Sequence, residues 1–193
     1  MRPGGRGFGG RDGGTGANGE SRPLNQLTHV DDAGRVRMVD VGEKPTTRRV
    51  AVAAGEIRMR PETLAAIDSG SIEKGEALAV ARIAAIGGAK AASSWIPLCH
   101  PIPIDAVDVD IERDETLPGY RFRVRVSANW RTGVEMEALS GVAAGLLALY
   151  DMSKAIDRGM TLGPIRLLEK HGGRSGSWQS GNEMTTEDGE PPS

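Results

Sequence analysis

The hydrophobic pattern changes period along the chain, and each change marks an element. Residues 49–59 carry Val50, Val52, Ile57 and Met59 in a strand-like run, and residues 38–41 read as a shorter strand before it. Arg60-Pro61-Glu62 then opens a helix. Pro at the first helical position gives up only a donor that has no partner there, and the acid suits the positive end of the dipole. Gly70 ends that helix, and a turn follows to Gly75. Residues 76–93, rich in Ala, Leu, Val and Ile, predict a second helix in which Gly87-Gly88 either weakens the structure or lets another backbone approach. Strict alternation appears next, in Val107/Val109/Ile111 and in Tyr120/Phe122/Val124/Val126, with Leu117-Pro118-Gly119 between them. This predicts a β-hairpin. Residues 135–158 predict a long helix, almost continuously apolar from Ala138 to Tyr150, and a helix apolar on every side must be buried all round, on a sheet and on a partner chain. A final strand is predicted over 164–168. Helices mixed with an antiparallel hairpin imply an α+β protein, a ferredoxin-like α/β sandwich with an antiparallel sheet packed by helices.

Composition narrows the partners. With 193 residues the chain suits one domain plus tails. The expected folded unit is 23–175. Residues 1–22, built largely of Gly and Arg, and the acidic residues 176–193 are expected to be disordered tails, because neither buries enough apolar surface to offset its conformational entropy. A net charge of −2 and a pI near 6.0 carry no global signature of nucleic-acid or membrane binding. Neither partner is expected. Cys99 is the single cysteine, so no intrachain disulfide can form, which fits a reducing cytoplasm. On the hairpin, Arg121, Arg123 and Arg125 face Asp108, Asp110 and Glu112, which predicts a solvated, self-paired face rather than a nucleic-acid surface.

Candidate chemistry is concentrated in a few places. In Trp95-Ile96-Pro97-Leu98-Cys99-His100-Pro101 the prolines fix the backbone around His100, mounting it on a stiff loop. Such a histidine either meets a ligand or satisfies a local backbone group. Asp151 and Lys154 share a helix face at the end of the apolar helix, where burial would make the pair notable. Glu135 and Glu137 lie at its start, and the helix dipole accounts for them without further function. Glu137 and Asp151 are fourteen residues apart, about 21 Å at 1.5 Å per residue. One site containing both needs a long ligand or a neighbouring subunit. Arg49, Lys74, Lys90, Lys170 and Arg174 are scattered cations. Gly172-Gly173-Arg174-Ser175-Gly176 resembles a phosphate nest in composition but lacks the P-loop pattern, so a flexible exit from the fold is the simpler account. Cys99, His29, His100 and His171 show no metal-ligand spacing, and no metal or cofactor is expected.

Several strings, in order, resemble one family: Leu27-Thr28-His29-Val30, Met38-Val39-Asp40-Val41, Met59-Arg60-Pro61-Glu62-Thr63-Leu64, Lys74-Gly75, Ala81-Arg82-Ile83-Ala84, Ile96-Pro97-Leu98-Cys99-His100-Pro101, Thr132-Gly133-Val134-Glu135-Met136-Glu137-Ala138-Leu139, Tyr150-Asp151-Met152-Ser153-Lys154-Ala155 and Gly163-Pro164-Ile165-Arg166-Leu167-Leu168-Glu169-Lys170. The family is that of the cyclic pyranopterin monophosphate synthases of molybdenum cofactor biosynthesis. The resemblance implies a lyase that rearranges 3′,8-cyclised dihydro-GTP into cyclic pyranopterin monophosphate and releases pyrophosphate. It implies Asp151, Lys154 and Lys74 as catalytic residues, and Leu98, Cys99, His100, Met136 and Glu137 as substrate contacts. Arg49, Lys90 and Lys170 would hold the triphosphate. It further implies a homohexamer, a trimer of dimers, with active sites between subunits. Arg174 stands where the family commonly has lysine, and Ser153 where a cysteine can occur. The competing expectation is a non-catalytic nucleotide- or RNA-binding module using the arginine stripe and the Gly/Arg tail.

Overall fold

The computed structural model describes residues 29–30, 34–69 and 74–181, without the side chains of 74–76. The expected tail over 1–22 and most of the one over 176–193 lie outside the described residues. The described residues fall into two units, divided between Val36 and Arg37. In the first, Val30 and Val36 form an isolated antiparallel bridge.

The second unit is a six-stranded antiparallel sheet with helices on one face. Its elements are β1 (Thr47–Arg58), α1 (Pro61–Ser69), α2 (Lys74–Lys90), α3 (Ala92–Trp95), β2 (Ala106–Asp114), β3 (Gly119–Trp130), α4 (Glu135–Ser153), β4 (Thr161–Leu162), β5 (Arg166–His171) and β6 (Trp178–Gln179). The strand order is β2-β3-β1-β5-β6, with β4 pairing the end of β1. The first four long strands thus make the ferredoxin-like arrangement, with β1 and β3 central. β1 is buried from Val50 through Gly55 and reads as a nearly continuous small apolar run. The alternation in β3 sends Tyr120, Phe122, Val124, Val126 and Ala128 into the core.

The hairpin pairs as its sequence predicts, with Asp108 opposite Arg125, Asp110 opposite Arg123 and Glu112 opposite Arg121. The ionic partners are partly different. Arg125 pairs with Asp108 at 3.9 Å, but Arg121 takes the diagonal Asp114 at 2.6 Å and Arg123 reaches Glu169 on β5 at 3.5 Å.

Helix α2 places Ala77, Ala81, Ala85 and Ala89 at every fourth position, all fully buried. This smooth stripe lets α4 approach closely. A Cβ on Gly88 would collide with the Ala144 methyl and the Ser140 carbonyl, and one on Gly145 would stand 2.9 Å from the Phe122 ring and 3.1 Å from Ala85. Gly141 is similarly enclosed by Val124 and Ala85. Of the two sequence-level roles for Gly87-Gly88, Gly88 serves close approach, whereas nothing stands within 4 Å of a Cβ at Gly87. These contacts run 88 against 140 and 144, and 85 against 141 and 145, so α2 and α4 are antiparallel.

Four sequence-based expectations are corrected: the strand over 38–41, the unbroken second helix, the place of Lys74, and the end of the long helix. Residues 38–41 form no strand, and the second helix breaks into α2 and α3 around Ala91. Lys74 opens α2 instead of lying in the glycine turn. The long helix stops at Ser153, because the backbone N–H groups of Ile156 and Asp157 turn back to the Ser153 carbonyl. That turn delivers Asp157 to α1, where it accepts hydrogen bonds from the Arg60 backbone N–H at 3.0 Å and the Thr63 hydroxyl at 3.3 Å. It thereby satisfies one backbone donor at the start of another helix. Within one chain α4 leaves Leu147 58% exposed.

Candidate active site

The rigid loop is built by a turn. Ile96 N–H bonds the Ala92 carbonyl and Cys99 N–H bonds the Ile96 carbonyl at 3.1 Å, leaving Pro97 at the second turn position, where its fixed φ fits. Leu98, Cys99 and His100 leave this turn half-buried. Among the described residues the His100 ring has no hydrogen-bond partner, so the turn presents it instead of consuming it.

The turn faces the start of α4. The Cys99 thiol stands 3.5 Å from Glu137 Oε1. Glu137 is only 3% exposed, and its Oε2 is buried without a hydrogen-bond partner among the described residues. Burial raises its carboxyl above the ordinary carboxylate range, and Glu135 nearby adds to the rise. Burial together with Glu137 pushes the Cys99 thiol up to about 11, so the sulfur stays protonated at neutral pH and is no nucleophile. The backbone N–H of Glu137 itself bonds its carboxyl and works against the rise of that group, as expected of an acid in a first turn, but burial outweighs it. Met136 beside it is exposed.

Two cations lie near the same end of the sheet. Arg49 on β1 donates to the carbonyls of Trp130 at 3.2 Å and Arg131 at 3.3 Å, just ahead of α4. Gly173, at φ +80°, is packed so closely on this guanidinium that a Cβ there would overlap it. Gly172, at φ +95°, meets the Arg48 carbonyl in the same way. The glycine-rich segment is therefore a fitted cover for Arg49, not a loose exit. Lys170 on β5 pairs across from Ala51 and donates to the Ser175 hydroxyl and, at 3.2 Å, to the Gly176 carbonyl. Arg174 projects from the turn between them, exposed. Lys90 ends α2, exposed, beside a pocket of about 430 Å³ with Ile86, Ile102, Ile104 and Val107 in its walls and Asp105 at its edge.

Asp151 and Lys154 form an ion pair at the opposite end of α4. Their side chains are 68% and 55% exposed, so the burial expected for them is absent within one chain. The antiparallel pairing of α2 with α4 puts Lys74, at the start of α2, toward this same end. The fold thus sorts the candidates into two sets. Leu98, Cys99, His100, Met136, Glu137, Arg49, Lys90 and Lys170 belong to one end, and Lys74, Asp151 and Lys154 to the other. Sequence reasoning named these positions, but read Gly173 only as part of a flexible exit, because its role depends on Arg49 more than a hundred residues earlier.

The fold is a ferredoxin-like α+β sandwich that brings a buried carboxyl, a presented histidine and several cations to one end. The chain belongs to the MoaC family, whose pattern matches residues 38–173. A curated relative, the cyclic pyranopterin monophosphate synthase of Thermomicrobium roseum, is 53% identical over 156 residues, which cover 81% of this chain and 94% of the relative. Among the described residues no helix is long and apolar enough to cross a membrane.

Proposed function

We propose that this protein is a cyclic pyranopterin monophosphate synthase, a lyase of molybdenum cofactor biosynthesis. What carries the proposal is the 53% identity to such a synthase along nearly its whole length. The substrate is 3′,8-cyclised dihydro-GTP. A sugar hydroxyl attacks the α-phosphorus, the bond to the β-phosphate oxygen breaks, and pyrophosphate leaves, while staged proton transfers open the imidazole ring and rebuild it as a pterin.

Arg49, Lys90 and Lys170 hold the triphosphate, Arg49 being pre-oriented by two carbonyls so that little side-chain entropy is lost on binding. Leu98, Cys99, His100, Met136 and Glu137 position the purine-derived ring and sugar. Lys74 and Lys154 transfer protons, with Asp151 orienting Lys154 through their ion pair. Because the two sets of residues sit at opposite ends of α4, each active site joins one end of one protomer to the other end of its neighbour. Exposure of Leu147 and of the Asp151/Lys154 pair within one chain supports that assembly. The oligomer is a homohexamer of three dimers, working in the cytoplasm on a small molecule. Neither nucleic acid nor membrane is a partner.

The test supplies the cyclised GTP intermediate to purified protein and follows pyrophosphate together with the cyclic phosphate product. Failure to release pyrophosphate under conditions where a known synthase does so would overturn the proposal.

A further inference from the structure

Glu137 and Cys99 are a matched pair in a protein with no other cysteine. The carboxyl is almost fully buried, yet only one of its two oxygens has a partner among the described residues. The thiol is the side chain that reaches it, at 3.5 Å from Oε1, and the backbone N–H of Glu137 itself also bonds the carboxyl. The second acceptor within the thiol's reach, the His100 carbonyl, is farther, at 3.8 Å. A buried carboxyl oxygen without a donor is costly, and such groups in native proteins mark sites where a ligand supplies the missing bond.

We infer that Cys99 is a positioning residue: its S–H donates to Glu137 Oε1, fixes the rotation of the carboxyl group, and leaves Oε2 as the oxygen offered to a donor on the substrate. This deepens the proposed synthase function and rests on it. The backbone turn explains why a thiol can do so. Pro97 sets the position of Cys99 N–H on the Ile96 carbonyl, so the sulfur is carried to Glu137 by a rigid main chain and not by a flexible side chain. The choice of sulfur is also chemically suited. An S–H is a weak donor, and a weak donor orients a carboxyl while lowering its proton affinity less than a hydroxyl or an ammonium would. The charged or titratable groups facing Glu137 are Cys99 from the loop and Glu135 from its own helix. The packed faces of α2 and β3 meet α4 through Ala85, Ala89 and Val124, which bring no charge.

The single thiol makes the contact measurable without substrate. The 13Cβ chemical shift of protein labelled with cysteine carrying 13C at Cβ titrates Cys99 alone, because the chain has no other cysteine. The wild-type midpoint is expected at about pH 11, and Glu137→Gln should move it to lower pH by removing the neighbouring negative charge. An unmoved midpoint would overturn the contact. Turnover then tests the positioning role. Cys99→Ala should lower kcat about tenfold with KM changed less than twofold, an effect of about 1.4 kcal/mol at the reacting centre. It should also move the acid limb of the kcat/KM profile to higher pH, because a carboxylate that loses a donor binds its proton more tightly. Cys99→Ser, which keeps a donor, should restore both. A Cys99→Ala enzyme with wild-type kcat and an unmoved acid limb would overturn the role even if the thiol titration had shifted. Since the titration needs no turnover, an inactive wild-type protein would count against the proposed activity and leave the contact to be decided by the titration.

Discussion

Mixing two dead variants should give a live enzyme. Asp151→Ala removes the partner of Lys154 at one end of α4, and Glu137→Gln removes the buried carboxyl at the other end. The two positions are separated by about 21 Å of straight helix, at 1.5 Å per residue, and the core packing of α4 on α2 and the sheet leaves the helix no freedom to bend them together. Each substitution alone should cut turnover by roughly 10²- to 10⁴-fold, the usual range for loss of a group that moves or orients a proton. When the two chains are co-expressed and assort at random, half of the pairs are mixed. Every mixed pair contains one site with both groups intact and one with neither, so roughly a quarter of wild-type activity per protomer should return. The assay is pyrophosphate release by co-purified, differently tagged chains, with native mass spectrometry to count the mixed oligomers. Activity that stays at the mean of the two single variants, while mixed oligomers are present, would refute a site shared between protomers. A quarter of the activity cannot arise if one chain supplies both ends.

The other predictions concern single positions. Gly173→Ala forces a side chain into the Arg49 guanidinium at φ +80°, and loss of one charge-assisted contact to the triphosphate should raise KM roughly 10- to 100-fold while the oligomer stays intact; an unchanged KM would separate Arg49 from the ligand. Gly88→Val pushes into Ser140 and Ala144 where α2 crosses α4 and should destabilise by about 1–3 kcal/mol in urea denaturation, whereas Gly87→Ala, in open space, should be neutral or slightly stabilising. The carboxyl of Asp157 is held below its ordinary range, first by the Arg60 backbone N–H. Its contribution is therefore complete above the unfolded-state carboxylate value and is lost as pH falls through the lower folded value, so Asp157→Asn should flatten the acid limb of a Tm-versus-pH curve. Lys74→Ala and Lys154→Ala should each abolish product without altering oligomer mass, and near wild-type turnover by both would remove them from the chemistry.

Local order along the chain made much of this visible in advance. The alternation of Tyr120, Phe122, Val124 and Val126 has only one register that buries them, so the hairpin, its facing charges and the antiparallel sheet follow from period alone. Pro97 and Pro101 likewise announce a rigid turn wherever the rest of the chain goes. The partners of that turn were not legible. Glu137 looked like an ordinary first-turn acid, and only the approach of Cys99 and the closure of the core over it show a desolvated carboxyl. Asp151 and Lys154 erred in the opposite direction. The apolar run before them suggested burial, but within one chain α4 buries only the face turned to α2, β1 and β3, and its end stays in solvent.

The sequence by itself determined the family, the sheet-forming and helix-forming segments and the identities of the residues that carry the chemistry, because periodicity and proline act over a few neighbouring residues. The tertiary structure decided where those residues stand relative to one another. The alanine stripe on α2 docks antiparallel against the glycines of α4, which holds Glu137 and Asp151 at opposite ends of one rigid helix and gathers Arg49, Lys170 and the Gly172-Gly173 turn at the first end. Such placements depend on contacts between segments far apart in the chain, and no local pattern encodes them.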